Sequence, residues 1–244
     1  MNKFLGLILA RGGSKRIPRK NIKEFLGKPL LAWSIEAAKE SGIFEHLILS
    51  TDDPEIAEVG RRYGAEIPFM RPEELASDTA LAHDVIRHAL EWLKDNRNYT
   101  PEWVFLFEPT APAKRPFHLK EVAEILSKNP SFDSLNGISE FPQQYNYTMQ
   151  VKMDENNLIT RAWDNALMKD MPKSSREIPL SYMPNPQIYA FRASNLFKGN
   201  GTLWGDSTYG YLMDSKYYID IDTPNDWQAA EKKMKKILEE NNRK

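Results

Sequence analysis

The chain has 244 residues, 41% of them apolar, and its 33 Lys and Arg residues nearly balance its 34 Asp and Glu residues, giving a net charge of −1. This composition supports a sizeable core and excludes a wholly disordered chain, and the near-zero charge argues against a protein that coats nucleic acid. The absence of cysteine excludes a disulfide scaffold, a cysteine-bound zinc site and a thiol nucleophile.

The first apolar stretch, residues 4–10, predicts a strand that is buried on both faces, as in a parallel sheet. It is too short to span a bilayer, and no small-residue cleavage site follows it. We therefore expect no signal peptide, no membrane partner and a cytoplasmic location.

Predicted strands and helices alternate along the rest of the chain. Further strands are predicted over residues 47–49, 104–107, 134–138, 187–191 and 217–221. Helices are predicted over residues 30–41, 54–63, 81–94 and 117–126, and a last one follows Thr223. Asp53 before Pro54, and Thr223 three residues before Asp226, are expected to cap the helices that they precede. The alternation predicts an α/β fold with a doubly wound, mostly parallel sheet, in one domain over residues 1–244.

Residues 141–183 break this alternation. Short alternating segments such as 147–153 predict a small antiparallel insert here. Five of the nine methionines also fall in the insert, at Met149, Met153, Met168, Met171 and Met183. Two interpretations stay open: the methionines fill an ordinary loop and core, or the insert packs against a second subunit, because methionine-rich surfaces adapt to partners.

A cationic loop follows the first predicted strand. Between residues 11 and 23 there is no Asp or Glu, and the six cations are Arg11, Lys15, Arg16, Arg19, Lys20 and Lys23. In open α/β sheets ligands bind at the carboxyl ends of strands, and the adjacent Gly12 and Gly13 let backbone N–H groups approach a phosphate. The loop therefore predicts a polyphosphate site, although neither G-x-x-x-x-G-K-[ST] nor G-x-G-x-x-G is present. The alternative is a solvated basic loop.

Two carboxylates, Asp220 and Asp222, stand two residues apart in the predicted strand 217–221 and directly after it. A period of two places both on one face. Two hard oxygen ligands, completed by phosphate oxygens and water, suit Mg²⁺. An isolated D-x-D pair is often only structural, so the prediction of a magnesium site depends on the basic loop as well.

Several motifs in one order carry a family resemblance that spans about residues 4–230. They are Leu9-Ala10-Arg11-Gly12-Gly13-Ser14-Lys15, Pro18-Arg19-Lys20-Asn21, Ser50-Thr51-Asp52-Asp53, Arg71-Pro72 with Leu75-Ala76-Ser77-Asp78-Thr79, Pro109-Thr110-Ala111-Pro112, Asn185 with Ile188-Tyr189, and Asp220-Ile221-Asp222. Together they resemble CMP-sialic acid synthetases and their nonulosonate relatives. The resemblance implies a Rossmann-like nucleotidyltransferase that transfers CMP from CTP to the anomeric hydroxyl of a 2-keto sugar acid and releases pyrophosphate.

The resemblance also assigns roles to individual residues. It implies Lys20, Arg11 and Lys15 as catalytic groups and Asp220 and Asp222 as ligands of Mg²⁺. The implied nucleotide-binding residues are Arg11, Gly12, Gly13, Ser14, Lys15, Asn21, Arg71, Ser77 and Asp78. The implied sugar-binding residues are Glu108, Thr110, Asn185 and Arg176, the last acting across a homodimer formed through residues 141–183, with Lys169 and Lys173 as alternatives. From the residues alone, Arg71 could instead form a surface salt bridge and Asp78 could cap a helix.

The chain departs from the family pattern where the sugar is expected. Glu108 stands where the family commonly has Gln, Ala111 where it has Ser, and Pro186 follows Asn185 where it has Gly, while Lys114 and Arg115 stand near the usual Arg. A carboxylate cannot donate a hydrogen bond unless it is protonated. We therefore hypothesise that the sugar is a nonulosonic acid other than N-acetylneuraminate, with a hydroxyl or ammonium group facing Glu108.

Three rival functions stay open. The same chemistry could act on the eight-carbon keto-acid KDO or an amino derivative. A glycosyltransferase also uses D-x-D but does not need so cationic a loop. A non-catalytic nucleotide- or nucleic-acid-binding module would carry stacking aromatic residues beside the loop, and residues 11–24 contain none.

Overall fold

The structure is a computed structural model that describes residues 3–199 and 201–242. Its strands are β1 (Phe4–Leu9), β2 (Glu24–Phe25), β3 (Lys28–Pro29), β4 (His46–Ser50), β5 (Trp103–Phe107), β6 (Ser134–Glu140), β7 (Val151–Met153), β8 (Ile159–Arg161), β9 (Tyr182–Arg192) and β10 (Thr208–Leu212). Its helices are α1 (Leu30–Ser41), α2 (Pro54–Tyr63), α3 (Ala82–Arg97), α4 (Pro116–Lys128) and α5 (Pro224–Asn242). Among these residues, no helix is both long enough and apolar enough to cross a membrane.

The central sheet has the strand order β10-β6-β9-β5-β1-β4. Strand β9 runs antiparallel to both of its neighbours, β5 and β6, and the other pairs are parallel. Side chains alternate between two cores: Ile8 of β1 packs with α1, α4 and α5, while Leu7 packs with α3 on the opposite face. The predicted α/β fold with a doubly wound, mostly parallel sheet is therefore confirmed.

The predicted caps set the helix boundaries. Asp53 Oδ1 accepts hydrogen bonds from the backbone N–H groups of Glu55 (2.9 Å) and Ile56 (3.0 Å), which begins α2 at Pro54. Thr223 and Asp226 form the expected capping box at the start of α5, with Asp226 Oδ2 accepting from the backbone N–H of Thr223 at 2.7 Å. Both caps satisfy N–H groups that have no partner within the helix.

The predicted strand over residues 217–221 is wrong, and strand β10 takes the edge of the sheet instead. Buried Tyr217, Ile219 and Ile221 alternate with more exposed residues, which produces the period of two. The segment pairs with no strand, however; the backbone N–H of Ile221 donates to Thr110 O, in a loop, at 3.0 Å. Strand β10 escaped prediction because its side chains are mostly exposed and Gly210 interrupts its apolar pattern.

The insert between β6 and β9 contains the predicted antiparallel element, a hairpin of β7 and β8. Together with the first residue of β9, it exposes many large apolar side chains: Tyr145, Tyr147, Val151, Met153, Leu158, Ile159, Trp163, Leu167, Leu180 and Tyr182. Met153 is 64% exposed, so this methionine does not fill the core. The insert therefore leaves a broad apolar surface uncovered in the single chain.

Candidate functional site

A pocket of about 540 Å³ opens at the carboxyl ends of β1 and β5. The loop after β1, the start of the loop after β5 and the segment before α5 form its walls. Its lining residues are Leu9, Arg11, Ser14, Lys15, Arg16, Ile17, Lys20, Asn21, Asp78, Glu108, Pro109, Thr110, Asp220 and Asp222. The structure thus brings most of the predicted site residues into one cavity.

The backbone of the basic loop is held by one polar contact from outside the loop and one from within it. The backbone N–H of Gly12 donates to Asp52 Oδ1 at 3.0 Å, and Asn21 Nδ2 donates to Arg11 O at 2.9 Å. A Cβ atom on Gly12 would lie 2.7 Å from Asp53 Oδ2, so only glycine fits this close approach. Asn21 is therefore a support of the loop as well as a lining residue, and neither Gly12 nor Gly13 lines the pocket.

The six cations of the loop divide into two groups. Arg11, Lys15, Arg16 and Lys20 line the pocket. Arg19 adopts a left-handed backbone conformation (φ 56°) and its guanidinium binds Asp53 and Glu55 instead, which lowers the pKa of Asp53. Lys23 lies over the ring of Trp227, 4.8 Å from its centroid. Sequence reasoning grouped all six cations because the sequence does not show in which direction each side chain of a loop points.

Asp78 holds the cations at one end of the pocket. Arg11 Nη1 lies 3.0 Å from Asp78 Oδ1 and donates to Ser77 O at 3.0 Å, while Lys15 forms a second ion pair with Asp78. The hydrogen bond from Lys15 lowers the pKa of the Asp78 carboxyl. Helix α3 is preceded by Leu81 as its N-cap, so the helix-cap interpretation of Asp78 is wrong. Ser77 contributes its backbone oxygen to this contact.

Arg71 is buried below the rim of the pocket and does not line it. Its Nε donates to Ser50 Oγ (3.1 Å) and its Nη2 to Ser50 O (2.6 Å), at the end of β4. Burial lowers the pKa of Arg71 to about 10. The surface salt-bridge interpretation is therefore wrong, and Arg71 supports the strand end that carries Asp52.

The other end of the pocket is acidic. Burial, followed by the charge of Asp222, raises the pKa of Asp220, and burial, followed by Asp220, raises that of Glu108. The side chain of Thr110 acts in the opposite direction on the pKa of Asp220. Carboxylates that are crowded in this way favour binding of a cation.

Lys20 joins the basic and acidic ends. Its Nζ donates to Ile221 O at 2.8 Å and to Asp222 Oδ1 at 3.2 Å, and Arg16 Nη1 lies 3.5 Å from Asp222 Oδ2. Within residues 3–199 and 201–242, no three His, Cys, Asp or Glu side chains are grouped so as to hold a metal by themselves. Two carboxylates beside a basic pocket nevertheless fit Mg²⁺, an ion that commonly takes its other ligands from phosphate and water.

Two predicted sugar-binding residues do not line the pocket. Asn185 is fully buried, where its Nδ2 donates to Ser139 Oγ at 2.9 Å and its Oδ1 accepts from the backbone N–H of Gln187 at 3.1 Å. Arg176 is exposed in the insert, in a 3-10 turn over Ser175–Glu177. Their roles toward a sugar stay predictions.

Sequence reasoning assigned no supporting role to three polar residues behind the pocket: Asp52, Lys114 and Gln187. An acid two residues after a buried strand was a usable signal for Asp52. Lys114 has no exposed surface, and burial lowers its pKa to about 7, while nearby Glu108 acts in the opposite direction. Neither its burial nor that of Gln187 has a local sequence signal.

Comparison with known proteins decides the family. A family model described as cytidylyltransferase matches residues 5–199. The chain belongs to the cytidylyltransferase family. This cytidylyltransferase is 36% identical over 228 residues to the pseudaminic acid cytidylyltransferase of Campylobacter jejuni subsp. jejuni serotype O:23/36, covering 93% of this chain and 94% of that protein. It is 33% identical over 235 residues to the CMP-N,N'-diacetyllegionaminic acid synthase of Legionella pneumophila subsp. pneumophila, covering 95% and 96%.

A solved structure of CMP:2-keto-3-deoxy-manno-octonic acid synthetase complexed with CTP shares the fold of this cytidylyltransferase. Its TM-score is 0.68 at 16% sequence identity, over 96% of this chain and 99% of that chain. The predicted resemblance to nonulosonate cytidylyltransferases is therefore confirmed, and so is the prediction of an enzyme of the nucleotidyltransferase class.

Proposed function

We propose that this cytidylyltransferase transfers CMP from CTP to the anomeric hydroxyl of a 2-keto-3-deoxy sugar acid of the nonulosonate class, with release of pyrophosphate. The observation that carries the proposal is one pocket lined by four cations of the loop after β1 and by the carboxylates of Glu108, Asp220 and Asp222, with Arg16 and Lys20 reaching Asp222. This arrangement suits a triphosphate that arrives with a metal ion and reacts with a polar sugar. The names of the relatives support the same substrate class.

The proposed reaction depends on positioning and charge neutralisation. The sugar hydroxyl attacks the α-phosphorus in line, the new P–O bond forms, and the bond to the β-phosphate oxygen breaks. Arg11 and Lys15 bind the triphosphate when it displaces Asp78, and Ser14 lies beside them in the pocket. Lys20 lies at the junction of the two ends, where its ammonium can stabilise charge on the reacting phosphate.

Asp220 and Asp222 are the proposed ligands of Mg²⁺. The ion would polarise the α-phosphate and neutralise the charge that develops on it. Arg16 and Lys20 hold Asp222 in this structure, so metal binding requires that these cations turn toward the triphosphate. A direct role of Gly12 and Gly13 in nucleotide binding stays a prediction, since neither lines the pocket and the N–H of Gly12 donates to Asp52. Asn21 and Arg71 act by supporting the loop and the strand end.

Glu108 and Thr110 are the proposed sugar-binding residues within the pocket. Glu108 lines the same cavity as Asp220. A carboxylate accepts hydrogen bonds, so it can bind a sugar hydroxyl or ammonium group but not an acetamide carbonyl. KDO or an amino derivative remains the alternative substrate, and the shared fold of the KDO synthetase favours keeping it in the test.

A homodimer formed through residues 141–183 is part of the proposal. Its support is the uncovered apolar surface of the insert, which in a dimer would be removed from water. Arg176 on the same insert could then reach the partner's sugar. Analytical ultracentrifugation tests this: a monomer at micromolar concentration would contradict it. The single domain over residues 1–244 and the cytoplasmic location stay predictions.

The decisive experiment is pyrophosphate release from CTP over a panel of 2-keto sugar acids. The panel contains pseudaminic and legionaminic acid derivatives, N-acetylneuraminate and KDO. We expect sugar-dependent release with a nonulosonic acid, accompanied by a CMP-sugar product. A clear preference for N-acetylneuraminate would contradict the hypothesis for Glu108, preference for KDO would select the alternative, and no release with any sugar acid would contradict the proposed function.

A further inference from the structure

The two segments that form the acidic end are joined by one buried side chain, Gln187 of β9. Its Oε1 accepts from the backbone N–H of Lys114 at 2.8 Å, and its Nε2 donates to Ile219 O at 2.7 Å. Gln187 has no exposed surface. A single amide thus bridges residues 108–114, which carry Glu108 and Thr110, to residues 218–223, which carry Asp220 and Asp222.

Lys114 holds the first of these segments from inside. Its Nζ donates to Ala111 O, to Ser34 Oγ at 3.0 Å, and more weakly to Glu108 O at 3.5 Å. Three acceptors match the three protons of an ammonium group. The backbone from Glu108 to Lys114 therefore surrounds the ammonium group of Lys114, and a hydrogen bond to Ser34 connects that group to α1.

The second segment lacks the usual support of a strand. Residues 218–223 belong to no strand, so their backbone groups need other partners. Gln187 satisfies Ile219 O, directly before Asp220, and Thr110 O satisfies the N–H of Ile221 at 3.0 Å. These two hydrogen bonds take the place of the strand pairing that the segment lacks. One comes from β9 and the other from Thr110 itself.

We propose that Gln187 and Lys114 are positioning residues that hold Glu108 and Thr110 opposite Asp220 and Asp222, and so set the spacing at which the pocket receives metal, triphosphate and sugar. The proposal rests on the proposed function for its kinetic consequences. Its structural consequence, the fixed position of residues 218–223, can be measured without substrate. An amide is required because one atom must accept a hydrogen bond and another must donate one.

The test compares Gln187→Met with Asn195→Leu. Gln187→Met removes both bridging hydrogen bonds at similar volume. Asn195 is a matched control because it is also a buried amide, and its Nδ2 donates to the backbone oxygens of Asp133 (3.0 Å) and Leu203 (3.4 Å), whereas none of its contacts reaches the pocket. Lys114→Met and Gln187→Glu, which keeps the acceptor for Lys114, serve as second variants if Gln187→Met does not fold.

The first readout is hydrogen exchange of residues 218–223 in the ligand-free protein. The Ile221 amide donates to Thr110 O and not to Gln187, so its exchange reports whether the segment as a whole loosens. We expect this exchange to accelerate about tenfold or more in Gln187→Met, because the segment loses a buried hydrogen bond with a cost of this order, and to stay unchanged in Asn195→Leu. Unchanged exchange in Gln187→Met would overturn the proposal, whatever the enzyme assays show.

The second readout is steady-state kinetics at several Mg²⁺ concentrations. We expect kcat to fall roughly 10- to 100-fold in Gln187→Met, because small displacements of reacting groups have effects of that size, and the Mg²⁺ concentration for half-maximal rate to rise. Equal losses in Gln187→Met and Asn195→Leu would overturn the positioning role. A wild-type enzyme that turns over no sugar acid would defeat the proposed function only, because the exchange result would still decide the bridge.

Discussion

The two ends of the pocket are built in opposite ways. The basic end comes from one continuous loop, residues 11–21, and Asp52 and Asp53 after β4 hold its backbone and side chains. The acidic end comes from residues more than 100 positions apart, which buried Gln187 and Lys114 bring together. Because the cations of the basic end lie on one loop, we expect their substitution or reorientation to have little effect on the rest of the fold. The acidic end depends instead on tertiary contacts.

The two ends also differ in how their charges are compensated in the ligand-free protein. At the basic end, Asp78 pairs with Arg11 and Lys15 on the surface, where ion pairs contribute little and yield readily to a phosphate. At the acidic end, burial and mutual repulsion raise the pKa values of Glu108 and Asp220. The basic end is therefore ready to exchange partners. At the acidic end Lys20 and Arg16 reach Asp222, but the pKa values of Glu108 and Asp220 remain raised.

The largest expected effect comes from Lys20→Ala, because Lys20 contacts both ends. Its Nζ binds Ile221 O and Asp222 and is only slightly exposed. Under the proposed role of Lys20 at the reacting phosphate, loss of its charge should lower kcat by about 10²–10³-fold. Pyrophosphate release under saturating CTP and Mg²⁺ measures this, and Lys23→Ala is the control because Lys23 lies over Trp227 outside the pocket. Equal rates in Lys20→Ala and Lys23→Ala would contradict a special role of Lys20 between the two ends of the pocket.

The next effect concerns the acidic end alone. Asp222→Asn removes one carboxylate but keeps the size of the side chain, so we expect the Mg²⁺ concentration for half-maximal rate to rise about 10- to 100-fold, a typical cost of a perturbed metal site. Titration of activity with Mg²⁺ at fixed CTP measures it, with Asp206→Asn as an exposed control away from the pocket. Full activity at limiting Mg²⁺ would show that Asp222 is not a metal ligand.

The same contrast explains what the sequence allowed us to predict. The strands, helices and caps followed from local patterns, and the basic loop was visible because its cations are adjacent. The sequence did not show which cations of the loop line the pocket, because Asp53 and Trp227, which lie outside the loop, set the directions of Arg19 and Lys23. Asp220 and Asp222 were identified on the correct face from a period of two, although the segment that carries them is not a strand.

The remaining features required tertiary information. The antiparallel direction of β9 cannot be read from an apolar run, and that direction places Gln187 between the two acidic segments. Arg71 looked like a surface residue because arginine is rarely buried, yet it supports the end of β4. Lys114 stood near a family arginine and was noted only as a departure. Its burial depends on Ser34 of α1, 80 residues away.

A smaller effect is expected at the basic end from Lys15→Ala. Lys15 is exposed and one of four cations that line the pocket, so its loss should raise KM for CTP about tenfold and leave kcat nearly unchanged. Initial rates over a range of CTP concentrations separate the two constants. A large fall in kcat with unchanged KM would instead place Lys15 at the reacting phosphate, and the two ends would no longer differ in the way described.

The smallest expected effect sharpens the comparison through pH. Burial lowers the pKa of Lys114 to about 7, with Glu108 as the charged group that faces it, whereas an unfolded lysine titrates near pH ~10.4. Between these values the unfolded chain binds more protons than the folded one, so the free energy of unfolding rises with pH. From pH 7 to pH 8 wild type should gain about 1 kcal/mol relative to Lys114→Met, measured by urea denaturation at both pH values. If the difference in free energy of unfolding between wild type and Lys114→Met does not change with pH, Lys114 stays fully protonated in the folded protein over this range. The acidic end would then stabilise the charge of Lys114 more than burial destabilises it.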